Sequence, residues 1–181
     1  MSARRDTMNC CLFNVKDVLT GGFEMGNLWY NEPKTLEVAF DVIGDIVLSA
    51  ASQQYGGFTV PSVDLLLEPF AEKSYEKYYR RYIDMGLTAR IADREAMKDI
   101  QKDFDQGFQG WEYKFNTVAS SRGDYPFITM TFGTGTGKFA KIASITMLNV
   151  RRKGQGKKNC KKPVLFPKLV FLYDENLHGA G

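Results

Sequence analysis

Short apolar segments that read as strands alternate with long helical stretches, and this alternation limits the fold more than any other feature of the chain. Residues 10–15 are short and apolar with polar residues following, as in a buried strand. Residues 127–132 are rich in β-forming side chains, and residues 164–173, interrupted by Pro167, read as a further buried strand. Three helical stretches are expected between the first two strands. Pro33 opens the first, Leu36–Ala51, where Phe40, Ile43, Val47 and Leu48 recur at helical spacing and Tyr55-Gly56-Gly57 ends the run. Thr59 and Pro61 start the second, which continues past Pro69 to Met85. Tyr75, Tyr78, Tyr79 and Tyr82 share one broad face of it, Glu76 and Arg80 form an i,i+4 pair, and Gly86 is its C-cap. Thr88 caps the third, which carries Ile91, Ile100, Phe104 and Phe108 and runs to Val118 despite Gly107 and Gly110. A turn at Arg122-Gly123-Asp124, a glycine-rich loop over 133–137 and a helix over 138–150 complete the reading. Helices between strands predict an α/β architecture with at least part of the sheet parallel.

A chain of 181 residues has the length of one domain. No apolar run reaches the roughly 18 residues of a membrane span, and no apolar region follows the charged N-terminus as it would in a secretory signal. The three cysteines, Cys10, Cys11 and Cys160, are odd in number and two are adjacent, which fits a reducing cytoplasmic setting better than a disulfide framework. With His178 as the only histidine and no CxxC pattern, no metal site is expected within the chain. The net charge is +3, yet residues 151–162 hold seven basic residues and no acid, so subtracting those seven leaves the remainder at −4. The chain therefore carries one concentrated basic loop and not the overall basic character of a general nucleic-acid binder.

Three motifs invite chemistry. The run Gly133-Thr-Gly-Thr-Gly-Lys138 fails as a phosphate loop, because Phe132 stands at the first glycine position and Phe139 follows the lysine. It reads as a plain glycine-rich loop whose N–H groups are free to meet an anion at the next helix start. The basic loop reads as a solvated surface or as a binder of a nucleotide or nucleic acid; Gly154 and Gly156 within it permit unusual backbone angles and close approach to a ligand. Cys10 and Cys11 read first as small core residues, and strand alternation sends their thiols to opposite faces. His178 has no evident role.

A longer series of motifs changes the weight of these readings. In order, they are Asn9-Cys10-Cys11-Leu12, Gln54-Tyr55-Gly56-Gly57, Pro69-Phe70-Ala71-Glu72, Glu112-Tyr113-Lys114-Phe115-Asn116-Thr117 and Pro126-Phe127-Ile128-Thr129 leading to Phe132-Gly133. Gly154-Gln155-Gly156-Lys157 and Leu165-Phe166-Pro167-Lys168-Leu169 complete the series. This ordered set resembles the large catalytic subunit of class III anaerobic ribonucleoside-triphosphate reductases across nearly the whole chain. The resemblance implies a partial ten-stranded α/β barrel of the ribonucleotide reductase and glycyl-radical type, with long helices between strands. Residues 1–181 would be a fragment of one catalytic barrel domain, with the effector and dimer helices over about 34–118. It implies conversion of ribonucleoside triphosphates to deoxyribonucleoside triphosphates by glycyl and thiyl radical chemistry, with formate as reductant. Cys10 matches the family's second cysteine, which acts on the reductant side. Asn9, Gly154, Gly156 and Lys157 are implied near the substrate, and Lys34, Lys77 and Tyr78 at the site for deoxynucleotide or ATP effectors.

The resemblance further implies a homodimer and a radical-SAM activating enzyme as partners. It attaches a glycyl radical and a C-terminal zinc site to the family, but none of their motifs is matched here. The Met-Gly-Cys of the thiyl cysteine is absent, Gly179 and Gly181 lack the radical motif's flanks, and Cys160 matches no zinc ligand. The expectation is an internal fragment that is inactive alone. The alternative is a non-catalytic nucleotide-binding or dimerisation module; nucleic-acid binding through residues 151–162 ranks below both.

Overall fold

The computed structural model describes residues 10–54, 56–117 and 125–179. Asn9, Tyr55, Val118, Gly181 and the expected turn at Arg122-Gly123-Asp124 lie outside them.

The core is a parallel four-stranded sheet in the order β1 (Cys11–Leu12), β4 (Phe58–Val60), β5 (Ile128–Phe132), β8 (Lys168–Phe171). Every neighbouring pair is parallel. The expected α/β class is thus found, and each strand of the sheet pairs with the next one in chain order. That order has consequences. Right-handed crossovers that always step the same way place all their helices on one face of the sheet, whereas a doubly wound sheet reverses direction and covers both. Here α2 (Leu36–Ala51), α3 (Val63–Asp84), α4 (Ala89–Thr117) and α5 (Lys138–Lys153) pack together on one side. Phe58, Val60, Ile128, Met130 and Phe132 point into them and are almost wholly buried, with Cys11 and Leu169 packed at the margin. On the other face Leu12 is 73% exposed and Val170 42%.

The helix interior is aromatic. Phe40 of α2 meets Phe104, Phe108 and Trp111 of α4 edge-on, and the Trp111 indole N–H donates to the Phe40 carbonyl at 2.7 Å. Gly107 is there because of this contact: a Cβ on it would land in the Phe40 ring. Three tyrosine hydroxyls of α3 donate to aspartates of α4, Tyr75 to Asp93 at 2.6 Å, Tyr78 to Asp103 at 2.7 Å and Tyr82 to Asp99 at 2.9 Å. The tyrosine face predicted from spacing is therefore the seam between the two longest helices.

Four expectations are corrected. Thr59 does not begin a helix. It is the middle residue of β4, the strand missed by the sequence reading, and α3 starts after Ser62, whose φ of 47° turns the chain and whose N–H donates to Thr131 Oγ1. The first strand is two residues long, and a short α1 (Val15–Leu19) follows, then a hairpin of β2 (Phe23–Met25) and β3 (Leu28–Tyr30). The last sheet strand begins after Pro167, not at Val164, and it is an exposed edge instead of a buried strand. Residues 151–162 are not a loop. Arg151, Arg152 and Lys153 form the last turn of α5, where cations favour the negative helix end, and β6 (Gln155–Lys157) pairs antiparallel with β7 (Cys160–Lys162). The four-residue α6 (Glu175–His178) follows β8.

Candidate functional site

Cys10 occupies the bend just before β1 and is exposed, while Cys11 is half-buried against the core. The Cys11 N–H donates to the Gly57 carbonyl at 2.9 Å, fixing this entry to β4. Alternation within β1 turns Cys11 to the core and Leu12 to the bare face. All three cysteines are free thiols.

The three residues expected at an effector site, Lys34 before α2 and Lys77 and Tyr78 on α3, face different ways. Lys34 is exposed one residue before the N-cap Thr35, whose hydroxyl accepts from the Val38 N–H. This helix start is seated on α3, since the Leu36 N–H donates to Ser74 Oγ at 2.7 Å and Glu32 pairs with Lys73 at 3.0 Å. Lys77, one turn further along α3, lines an open cavity of 590 Å³ with Lys73, Arg80, Arg81, Glu76 and Asp84. Tyr78 turns the other way, toward α4. Its hydroxyl is committed to Asp103 and the Arg81 guanidinium lies 5.1 Å from its ring centroid. Burial, then the Asp103 carboxylate, raises the Tyr78 phenol well above its ordinary value. Burial also raises Asp103, with Glu37 and Asp99 adding to it and the Tyr78 hydrogen bond opposing. A second cavity of 410 Å³ between α2 and α4 is lined by Glu37, Asp41, Lys102, Asp103, Trp111 and Lys114, among others.

The glycine-lysine hairpin has a structural reason for its glycines. Gly154 caps α5 at φ 66° and Gly156 sits at φ 137°, where a Cβ would come within 2.7 Å of the Lys162 carbonyl and 2.6 Å of the Cys160 carbonyl respectively. Lys157 is exposed at the hairpin end. Arg151, counted with the basic loop from sequence, is instead half-buried and structural: its guanidinium pairs with the buried Glu112 at 2.7 Å and donates to the Pro167 carbonyl at 2.7 Å.

The glycine-rich loop does meet an anion at a helix start, and the anion is internal. Asp64 of α3, 1% exposed, accepts through Oδ2 from the N–H groups of Gly133 and Gly135, both at 2.9 Å. Glu68 accepts from Ala140 at the start of α5. The donors a phosphate would use are thus filled by carboxylates of the same chain. His178 also has a role that sequence reasoning missed. Its Nδ1 lies 2.9 Å from the Asp174 N–H and its Nε2 2.7 Å from the Gly133 carbonyl, so the Nε2–H tautomer clamps α6 to this loop. Nothing in the local sequence marks Asp64 or Glu112 as buried; only the fold brings their partners to them. Among the described residues no group of three acidic, histidine or cysteine side chains can hold a metal, and no helix is long and apolar enough to cross a membrane.

Against known proteins, the family model described as anaerobic ribonucleoside-triphosphate reductase matches residues 2–179. The enzyme of that name from Enterobacteria phage T4 is 37% identical over 170 residues, covering 94% of this chain and 27% of the phage protein. Those of Salmonella typhimurium and Escherichia coli are 37% and 35% identical over the same length, covering 23% of each. The chain therefore spans about a quarter of the length of the curated relatives it matches. Among solved structures, the anaerobic ribonucleotide reductase from Thermotoga maritima in complex with dATP and CTP shares the fold at a TM-score of 0.52. It is 14% identical, with 77% of this chain and 23% of that one covered.

Proposed function

The chain belongs to the anaerobic ribonucleoside-triphosphate reductase family, and from that premise we propose that it is part of the catalytic barrel of such an enzyme, with Cys10 on the working face. The supporting observation is that the one cysteine matched to a redox role is exposed at the bend leading into β1, whose Leu12 lies on the face of the parallel sheet that no helix among the described residues covers. Parallel sheets are ordinarily covered on both faces, so a bare face is the inner wall of a barrel that further strands would close. The reaction is conversion of ribonucleoside triphosphates to deoxyribonucleoside triphosphates in the cytoplasm, with formate and Cys10 on the reductant side.

The residues of this chain do not fit the other groups attached to the family. They supply no zinc donor set among the described residues, and the motifs of the glycyl radical and thiyl cysteine are not matched. What the chain contributes is the exposed thiol, the strand wall that orients it, and the α2–α3–α4 unit. Lys34, Lys77 and Tyr78 mark that unit as the contact for deoxynucleotide or ATP effectors and for a second subunit. Lys34 beside a helix start and Lys77 on an open cationic groove suit phosphate, and the hydroxyl of Tyr78 ties effector contact to the α3–α4 seam. Asn9, Gly154, Gly156 and Lys157 complete the proposed substrate side, and a radical-SAM enzyme is the proposed activating partner.

The test is to exchange the matching segment of the phage T4 relative for this chain and measure anaerobic deoxynucleotide formation after activation. Retained formation is expected. A folded, dimeric chimera that binds deoxynucleotides yet makes none would replace this reading with that of a non-catalytic nucleotide-binding module.

A further inference from the structure

One histidine ties the segment after β8 to the loop after β5. His178 is the last residue of α6, and its half-buried ring packs against Phe171 and Tyr173, with centroids 4.9 and 5.6 Å away. Nδ1 accepts from the Asp174 N–H at 2.9 Å, and Nε2–H donates to the Gly133 carbonyl at 2.7 Å. The two ring nitrogens are thus used in opposite senses, one as acceptor and one as donor. Gly133 sits at φ 115°, and a Cβ on it would lie 2.6 Å from the Phe171 ring, so the approach of α6 needs a glycine there. The Gly133 N–H donates to Asp64 Oδ2, which carries the connection on from α6 through the glycine-rich loop to α3.

We propose that His178 is a proton-operated latch: the neutral ring holds α6 on the glycine-rich loop, and the imidazolium releases it. A neutral imidazole has one donor and one acceptor nitrogen, and this geometry needs one of each. A proton taken up from solvent adds to Nδ1, and two N–H groups then face each other across 2.9 Å. The Asp174 N–H loses its acceptor, and the ring must turn to find one for the new Nδ1–H. The charged and titratable groups on the surrounding elements are already engaged or point elsewhere. Asp64 and Glu68 of α3 accept from backbone N–H groups of the loop and of α5. Lys138 of α5 lies over the Tyr75 and Phe139 rings, and Lys168 of β8 over Phe127. Beside the ring stand the Tyr173 phenol, Glu175 and Asp174, and the Asp174 carboxylate caps α6 by accepting from the Asn176 N–H. Among the described residues no carboxylate lies within ion-pair distance of the ring. The imidazolium therefore finds an anionic partner only by taking Asp174 from Asn176, which removes the cap of a four-residue helix. The sign follows: the latched form holds one proton fewer, so the latch is complete at high pH. It opens as pH falls through the range of about 8 to 5 in which a histidine takes up its proton. The latch depends on this tautomer alone and is independent of any part the chain takes in deoxynucleotide formation.

The experiment is an NMR titration of the isotope-labelled 181-residue chain from about pH 8 to about pH 5.5, across the histidine range. It follows the His178 ring, the Gly133 and Asp174 amides, and the backbone order parameters of α6, with the Phe58 amide of β4 as the reference for the fold. The ring and both amides should move in one transition with a common midpoint. Over the same transition the order parameters of residues 175–178 should fall from about 0.85 to below about 0.6, while Phe58 stays unchanged. In His178→Ala, α6 should have the low values at every pH and the transition should vanish. A ring that titrates while α6 stays rigid would overturn the proposal, since charge alone shifts resonances without releasing the helix. So would a transition that persists in His178→Ala, or one that Phe58 shares, which would mean general unfolding. If the variant fails to fold, the order parameters of the unaltered chain still decide between latch and bystander.

Discussion

Glu112 is 4% exposed, and its two carboxylate oxygens go to different partners, Arg151 at 2.7 Å and Gln155 at 2.6 Å. Through Arg151 the same cluster reaches the Pro167 carbonyl, so one buried pair joins α4, α5 and the entry to β8. Removing one member of such a pair leaves an uncompensated buried charge. Arg151→Met should therefore destabilise the chain by about 3–5 kcal/mol in urea unfolding, with much of the loss recovered in Arg151→Met/Glu112→Leu. Tyr75 makes a pH prediction. Burial first, then its hydrogen bond to Asp93, pushes its phenol from the ordinary 10.0 up to about 12. The neutral phenol is the form the fold favours, so its contribution is complete below pH 10 and is lost as pH rises toward 12. Tyr75→Phe should remove that part of the alkaline slope, and an ultraviolet titration should lose one late-titrating tyrosine. Sequence could not reveal either group. Glu112 and Asp93 look like any other helix-surface acids until the packing of α4 against α3 and α5 is known.

Among the elements, the long helices were legible and the short strands were not. Leu36–Ala51 is apolar over several turns and capped by Thr35, and α3 and α4 carry periodic aromatics, so the helices follow from local chemistry even though the start of α3 does not. β4 has three residues, Phe58–Val60, with Pro61 directly behind it, and a proline there reads equally as a helix start. Only pairing with β1 and β5 on either side makes it a strand. The basic segment was misread for a related reason: its charges carry no signal of the hairpin, which depends on positive φ at Gly154, Gly156 and Asn159. The two glycines of α4 give a paired test of how the helices meet. Gly107→Ala gains helix propensity but drives a methyl into Phe40, and overpacking of this kind costs about 1–3 kcal/mol. Gly110 faces open space, so Gly110→Ala should stabilise by up to about 1 kcal/mol. Thermal unfolding of the two variants should move in opposite directions; a shared direction would mean that α2 and α4 do not meet as described.

For the whole molecule, the order β1-β4-β5-β8 is the fact from which most else follows. Stepping one way across the sheet places every large helix on one face and leaves the other as a wall of Leu12, three threonines, Lys168 and Val170, with Cys10 at the bend that leads into it. The α/β class was legible from alternation alone, and the family from ordered motifs. The bare face was not, because it depends on the direction of each crossover and on a strand too short to recognise. Alternation did separate the two adjacent cysteines, and in the structure Cys10 is exposed at the bend before β1 while Cys11 packs against the core. That separation gives the most direct test of the central claim, made in the phage chimera by measuring deoxynucleotide formation in two single variants. Cys10→Ser should abolish formation while leaving assembly intact, and Cys11→Ser should retain it. Formation that survives Cys10→Ser, or is lost equally with Cys11→Ser, would contradict the assignment of the working thiol to the open face.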